Sequence, residues 1–191
     1  MTLTSVAYSP DASAQHWLLD NLPSSRRFTV APARIEELQE LMDVTSQYIP
    51  GIKTAYRDIL TVQYFSRSIL AIRQQRGVVG SIAFLFLNQA GFEALVEGEF
   101  PISSPNTRLL ARGDEKAAAL YAWAMCLPGS VIGAMGNIMH LLRGPAHAEA
   151  DIYARPATLK GEQFMVKTGF RPVADSSPSA SLWAYRRVKR L

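Results

Sequence analysis

The sequence predicts an α/β fold in which helices cover a central sheet, and three observations support this prediction. From residue 118 onward, strand-like apolar segments alternate with helical segments, in the order strand, helix, strand, helix, strand, strand. Residues 68–88 predict a β-hairpin whose second arm is apolar on both faces, as in a central strand. The 191 residues suffice for one domain with a substantial core, and they contain no internal repeat.

Composition narrows the classes of protein further. Hydrophobic residues make up 48% of the chain and charged residues 19%, which favours a globular protein over a disordered one. The net charge is +4, and much of the basic excess lies in residues 185–191, predicted to be a solvated tail, with nucleic-acid or acidic-lipid contact as the alternative. The lone cysteine, Cys126, rules out an internal disulfide and suits a reducing compartment.

The sequence shows no signal-peptide pattern and no apolar run of membrane-spanning length. We therefore expect a cytoplasmic protein with neither a membrane nor a nucleic acid as partner, and leave a homodimer open. No cluster of His, Cys, Asp or Glu has metal-ligand spacing, so no metal is expected.

The first half of the chain predicts an extension, a strand and two helices. Residues 1–26 are polar and turn-rich, so they are predicted to dock loosely on a single domain formed by residues 27–191. Residues 27–32 predict a short strand. Residues 33–47 predict a helix, because apolar residues recur on one face and acidic residues occupy the first turn. A second helix is predicted over residues 55–67.

The second half contains a long loop between regular elements. Residues 99–114 are rich in Pro, Ser and Asn, and a loop of this length is either a functional lid or acceptor-side wall, or a plain surface insertion. The spacing of apolar residues alone does not distinguish a strand from a helix at residues 118–126. Further elements are predicted at residues 89–98 (helix), 150–156 (strand), 159–169 (helix), 170–173 (strand) and 181–189 (strand).

The segment LPGSVIGAMGNIMHLL, residues 127–142, combines helical spacing with three glycines. Glycine costs about 1 kcal/mol in a helix interior, so Gly133 and Gly136 require a reason. Either another backbone packs closely there, or a ligand such as a phosphate rests on free amides at the helix start. The spacing matches neither a P-loop nor a dinucleotide fingerprint.

The order strand, Pro-Gly turn, small-residue helix, strand and helix ending in Gly-Phe resembles the GNAT superfamily of acyl-CoA N-acyltransferases. That family carries the pattern Arg/Gln-x-x-Gly-x-Gly/Ala after its fourth strand, and the best register sets Val131, Ala134 and Gly136 against it. Residues 151–170 resemble the family's fifth strand, its next helix and its closing Gly-Phe. The resemblance covers most of residues 27–188.

The resemblance implies a mixed central sheet with helices on both faces and a cleft where the fourth and fifth strands splay apart. It implies acetyl-CoA or another acyl-CoA as donor, and a small-molecule or peptide amine as acceptor. The pantetheine arm would lie along Met125, Cys126 and Leu127, where a main-chain N–H would stabilise the oxyanion. The pyrophosphate would contact the segment that follows: Val131, Ile132, Gly133, Ala134, Gly136 and Asn137.

The chain departs from the family pattern at two positions. Val131, or Ser130 in a register one residue earlier that fits less well, stands where the pyrophosphate loop begins with Arg or Gln. Met165 stands where many members carry a tyrosine as general acid, and a thioether cannot donate a proton. Tyr121 and Tyr153, on the two splaying strands, are the predicted catalytic replacements, with packed core tyrosines as the alternative for both.

These observations predict an acyl-CoA-dependent N-acyltransferase that moves an acetyl or longer acyl group directly onto an amine. The alternative is a catalytically silent GNAT-like module that binds acyl-CoA or a partner protein, which the two departures favour. Cys126 is expected to be a small buried thiol rather than a nucleophile, because no catalytic His or Asn is evident beside it.

Overall fold

A mixed sheet organises the computed structural model, which describes residues 19–20, 22–49, 54–75, 77–173 and 182–187. Its strands are β1 Thr29–Pro32, β2 Ile69–Gln74, β3 Gly77–Leu87, β4 Ala119–Cys126, β5 Asp151–Ala154, β6 Arg171–Pro172 and β7 Trp183–Tyr185. The helices in the described ranges are α1 Leu38–Tyr48, α2 Tyr56–Ser66, α3 Gln89–Glu97, α4 Met135–Leu141 and α5 Leu159–Lys167. A 3₁₀ turn at Gly129–Ala134 leads directly into α4.

The strands are ordered β1-β2-β3-β4-β5-β7-β6 across the sheet. Neighbouring strands are antiparallel except β4 and β5, which run parallel and are joined by the segment containing α4. The predicted α/β class and its mixed central sheet are therefore confirmed. Residues 118–126, which period alone left open, are a strand.

The hydrophobic core is divided between the two faces of this sheet. Leu70, Ile82 and Leu120 face the cluster that α4 and α5 cover. Their immediate strand neighbours, such as Ala71 and Ala83, face a second cluster that contains residues of α1, α2 and α3. This alternation follows from the period of two along a strand, and it explains why the central strands are apolar on both faces.

The N-terminal extension packs more tightly than the sequence predicts, as far as residues 19–25 show. Leu19 is only 1% exposed and belongs to the core cluster under α4 and α5. An Asp20 carboxylate oxygen accepts a hydrogen bond from the Tyr185 hydroxyl at 3.1 Å. The backbone N–H of Ser25 donates to the Asn137 side chain at 2.7 Å. Residues 1–18 lie outside the described part of the chain.

The basic C-terminal segment is partly structural, so the predicted solvated tail is wrong for Arg187, whereas Arg186 is exposed. Arg186 forms an ion pair with Asp151 at 2.7 Å. Arg187 is buried, and its guanidinium donates to the carbonyl oxygens of Leu142 and His147 at 2.9 and 2.8 Å. Residues 188–191 are not described. No described helix is long and apolar enough to cross a membrane.

Candidate active site

The parallel strands β4 and β5 separate after four residue pairs. Ala122 opposite Ala154 is the last pair, although β4 continues to Cys126. Pro156 has no N–H to donate to the ladder, so β5 cannot be extended along β4 past this point. The chain instead turns into α5, whose first turn is capped by the Thr158 hydroxyl, which accepts from the Gly161 N–H at 3.0 Å. The result is a fork between the two strands.

A β-bulge lies in β4 at the branching point of this fork. On β3, Ala83 pairs with Ala124 but the next residue, Phe84, pairs with Ala122. Trp123 is therefore the additional residue of a bulge, with no cross-strand partner on β3. Since β5 has also ended, the Trp123 peptide group lies beside two interruptions of the ladder.

The fork opens into a cleft cavity of about 320 Å³. One wall consists of β4 residues, including Met125 and Cys126, together with Leu127, which follows the strand. The segment that follows β5 forms the opposite wall, and side chains of the two covering helices close the cavity: Met135, Met139, Phe164 and Met165. The cavity is therefore narrow, largely apolar and bounded by an incomplete strand edge.

Solved structures share the fold of this chain. The loading GNATL domain of CurA from Lyngbya majuscula has a TM-score of 0.57 at 12% identity, and the match covers 83% of this chain and 97% of that one. The GphF GNAT-like decarboxylase in complex with isobutyryl-CoA has a TM-score of 0.56 at 13% identity, with 83% and 98% covered. Arabidopsis thaliana Naa50 in complex with the bisubstrate analogue CoA-Ac-MVNAL has a TM-score of 0.53 at 11% identity, with 83% and 98% covered.

The chain has the GNAT fold. The predicted resemblance is thus confirmed for the fold, and identities of 11–14% make this chain a divergent example of it. No protein-family model and no curated protein matches the sequence.

Arg155 is the only charged side chain among the described residues that line the cleft of this GNAT fold. Its Nε–H is buried and has no hydrogen-bond acceptor within the described ranges. A buried donor without an acceptor is costly, which marks Arg155 as a group that a ligand oxygen could satisfy. The sequence alone does not single out Arg155, because its position at the branching point depends on where β5 stops pairing with β4.

Gly136 and Asn137 do not form an open seat for a phosphate, so that expectation is corrected. A Cβ built on Gly136 would lie 2.1 Å from the Pro23 carbonyl oxygen, so the N-terminal backbone covers this glycine. The Asn137 amide donates to the carbonyl oxygens of Ser25 and Phe28 at 3.1 and 3.0 Å. Close backbone packing, the alternative raised from the sequence, therefore explains Gly136.

The turn before α4 remains accessible. Gly129, Ser130, Ile132 and Gly133 are exposed, whereas Val131 and Ala134 are buried in the core. The Val131 N–H is already bonded to the Pro128 carbonyl at 3.1 Å, as 3₁₀ geometry requires. The N–H groups of Gly129 and Ser130 precede that first bond, so they are the amides of this GNAT-like loop that an anion could reach.

Tyr121 and Tyr153, the predicted catalytic residues, lie on the other face of the sheet from the two covering helices of the cleft. Both belong to the core cluster that includes residues of α1, α2 and α3, and neither lines the cleft cavity. Burial raises the pKa of each phenol, and the Tyr153 hydroxyl accepts from Arg186 at 2.7 Å. Their positions match the packed-tyrosine alternative.

Cys126 and Met165 are both buried. Burial raises the pKa of the Cys126 thiol, and a hydrogen bond with Thr45 opposes this effect. A raised pKa lowers the fraction of thiolate, which favours the expected small buried thiol over a nucleophile. The described residues contain no group of three side chains that could hold a metal ion.

Proposed function

We propose that this chain transfers an acyl group from an acyl-CoA to an amine. The observation that carries the proposal is the fork between β4 and β5, which leaves a narrow cleft beside unpaired strand backbone. Support comes from Naa50, whose structure holds a CoA-containing bisubstrate analogue in the same fold. Because one fold hosts several reactions, and the GphF domain is a decarboxylase, the assignment depends on the site.

The pantetheine arm is assigned to the cleft, along Met125, Cys126 and Leu127. Its amide groups would form hydrogen bonds with the β4 peptide groups that have no β5 partner. These bonds would remove the free-energy cost of leaving buried peptide groups without partners. The Nε–H of Arg155 would donate to a carbonyl oxygen of the arm. The diphosphate is assigned to the exposed turn at Gly129 and Ser130, where free amides and the helix dipole both favour an anion.

The acyl carbonyl is assigned to the bulge, where the Trp123 N–H would stabilise the developing oxyanion. The amine nitrogen attacks the carbonyl carbon, the C–N bond forms and the C–S bond breaks. An alkyl thiol has a pKa near 8.5, so the sulfur leaves as a thiolate with little need of a general acid. This chemistry is compatible with a methionine at position 165.

A catalytically silent module that binds acyl-CoA is the second candidate. Met165 favours it, since this side chain is 5% exposed and packed in the core where many GNAT enzymes carry their acid. The two candidates agree on coenzyme binding and differ in turnover.

Calorimetry with acetyl-CoA, followed by a thiol-release assay over a panel of amines, separates the candidates. The proposal expects binding of acetyl-CoA and amine-dependent thiol release. Trp123→Pro removes the bulge N–H and should lower kcat by about 10²–10³-fold. Trp123→Phe keeps that N–H and serves as the matched control, so its kcat should fall much less. Binding without turnover would support the silent module, and equal loss in both variants would contradict the role of the N–H.

A further inference from the structure

A second cavity, of about 590 Å³, lies on the face of the sheet opposite α4 and α5. It is bordered by α1, α2, the central strands and the loop at residues 100–103. Trp123 and Ala124 line both this cavity and the cleft, so both spaces border the bulge. The Trp123 indole N–H donates to the Ile102 carbonyl oxygen at 2.8 Å, which ties the loop to the bulge.

The lining of this second cavity is mostly apolar. Among the described residues, its polar side-chain groups are Ser and Thr hydroxyls and the Trp123 indole N–H, which is already bonded to Ile102. Its apolar wall includes Leu41, Met42, Phe100, Ile102 and Trp123. Two of the hydroxyls, those of Thr45 and Ser81, already share a hydrogen bond at 3.1 Å. A volume within 300–1,000 Å³ and a mostly apolar wall are typical of a small-molecule site.

A charged ligand would find no partner on this described lining. The nearby buried carboxylate, Glu37, is held by the guanidinium groups of Arg73 and Arg34. An aliphatic amine has a pKa near 10.4, so to react here it would first have to give up a proton that it holds at neutral pH. An aromatic amine carries no charge at neutral pH and avoids that cost.

We propose that this second cavity binds the acyl acceptor, and that the acceptor is an apolar aromatic amine. The inference rests on the proposed transfer function and adds the substrate class. The amine enters from this cavity and meets the thioester at Trp123, across the sheet from the pantetheine arm. Its nitrogen lone pair forms the amide bond, the thiolate leaves, and the proton lost from nitrogen goes to the sulfur through water.

The test compares three acceptors with the full chain and acetyl-CoA as donor. Calorimetry first measures the binding of acetyl-CoA in the absence of any acceptor. A failure of the proposed transfer function is then distinguished from a failure of the proposed acceptor class. We expect kcat/KM for 4-ethylaniline to be at least about tenfold higher than for either comparison compound. These are 4-ethylbenzylamine, which is protonated, and 4-aminobenzoate, which carries a carboxylate. No binding of acetyl-CoA would overturn the transfer function. Binding with preferred turnover of either charged compound would overturn only the present inference.

A matched pair of variants tests the cavity without relying on turnover. Met42→Glu places a carboxylate on the cavity wall, whereas Gln47→Glu places one on the exposed surface of the same helix. We expect Met42→Glu to weaken 4-ethylaniline binding about tenfold and Gln47→Glu to leave it unchanged. Equal responses would overturn the inference. It would also be overturned if Met42→Glu weakened the binding of octanoyl-CoA but not of the amine, because the cavity would then hold the acyl chain.

Discussion

Glu37 shows how one buried carboxylate connects the start of α1 to the sheet. The side chain is 7% exposed and is bound by Arg73 from β2 and by Arg34, which donates at 2.9 Å. Hydrogen bonds from Arg73 are the main reason that the pKa of Glu37 falls to about 2. Because the folded pKa lies below the unfolded value, Glu37 stabilises the fold above about pH 4.5, and this contribution is lost as the pH falls towards 2.

Glu37→Gln should therefore lower the free energy of unfolding by about 2 kcal/mol at neutral pH, because it leaves Arg73 without its charged partner. The difference from the wild-type protein should shrink as the pH falls from 4.5 towards 2. Urea unfolding at several pH values measures both effects. Glu36→Gln, at an exposed neighbour, is the control and should change little. A difference that stays constant down to acidic pH would contradict the assigned pKa.

Single positions also show the limit of inference from the sequence. Tyr121 and Tyr153 were correctly placed on the two splaying strands, but the face that each side chain occupies depends on register. A shift of one residue moves a side chain from one face of a sheet to the other. Apolar residues occupy both faces of these strands, so no polar alternation could indicate which residues face the cleft.

Helices α4 and α5 and the turns before them shape the cleft. The two glycines around the start of α4, Gly133 and Gly136, have different structural roles. Gly136 leaves space for the backbone of residues 22–23, whereas a Cβ on Gly133 would meet only the Phe28 ring at 3.6 Å, an ordinary contact. The same residue type thus has a packing role at one position and little steric constraint three residues earlier.

Gly136→Ala should destabilise the protein by about 1–3 kcal/mol, because its methyl group would clash with the Pro23 carbonyl oxygen. Gly133→Ala should be neutral or stabilise it by up to about 1 kcal/mol, since alanine favours a helical backbone. Thermal unfolding of both variants makes the comparison. If Gly136→Ala were as stable as the wild-type protein, the close approach of the N-terminal segment would be wrong.

Elements were easier to predict than their irregularities. The hairpin, the long first helix and the strand-helix alternation after residue 118 follow from local periodicity, and the structure contains all of them. The bulge at Trp123 arises from pairing with β3, and the fork depends on where β5 ends relative to β4. Neither leaves a local pattern in one sequence, so the functional geometry could be inferred only from the family resemblance.

At the scale of the whole molecule, the sheet separates two spaces that share part of their lining. The cleft lies on the side covered by α4 and α5, the second cavity lies on the side covered by α1, and both reach Trp123 and Ala124. Two substrates entering from opposite faces would meet where backbone hydrogen bonding is interrupted. Transfer between two bound molecules requires this kind of juxtaposition.

A crystal structure of the full chain with acetyl-CoA tests the central claim most directly. We expect the pantetheine arm inside the fork between residues 123–127 and 155–158, the diphosphate at Gly129 and Ser130, and the thioester at Trp123. Coenzyme bound elsewhere on the surface, or a fork that stays empty at saturating acetyl-CoA, would contradict it.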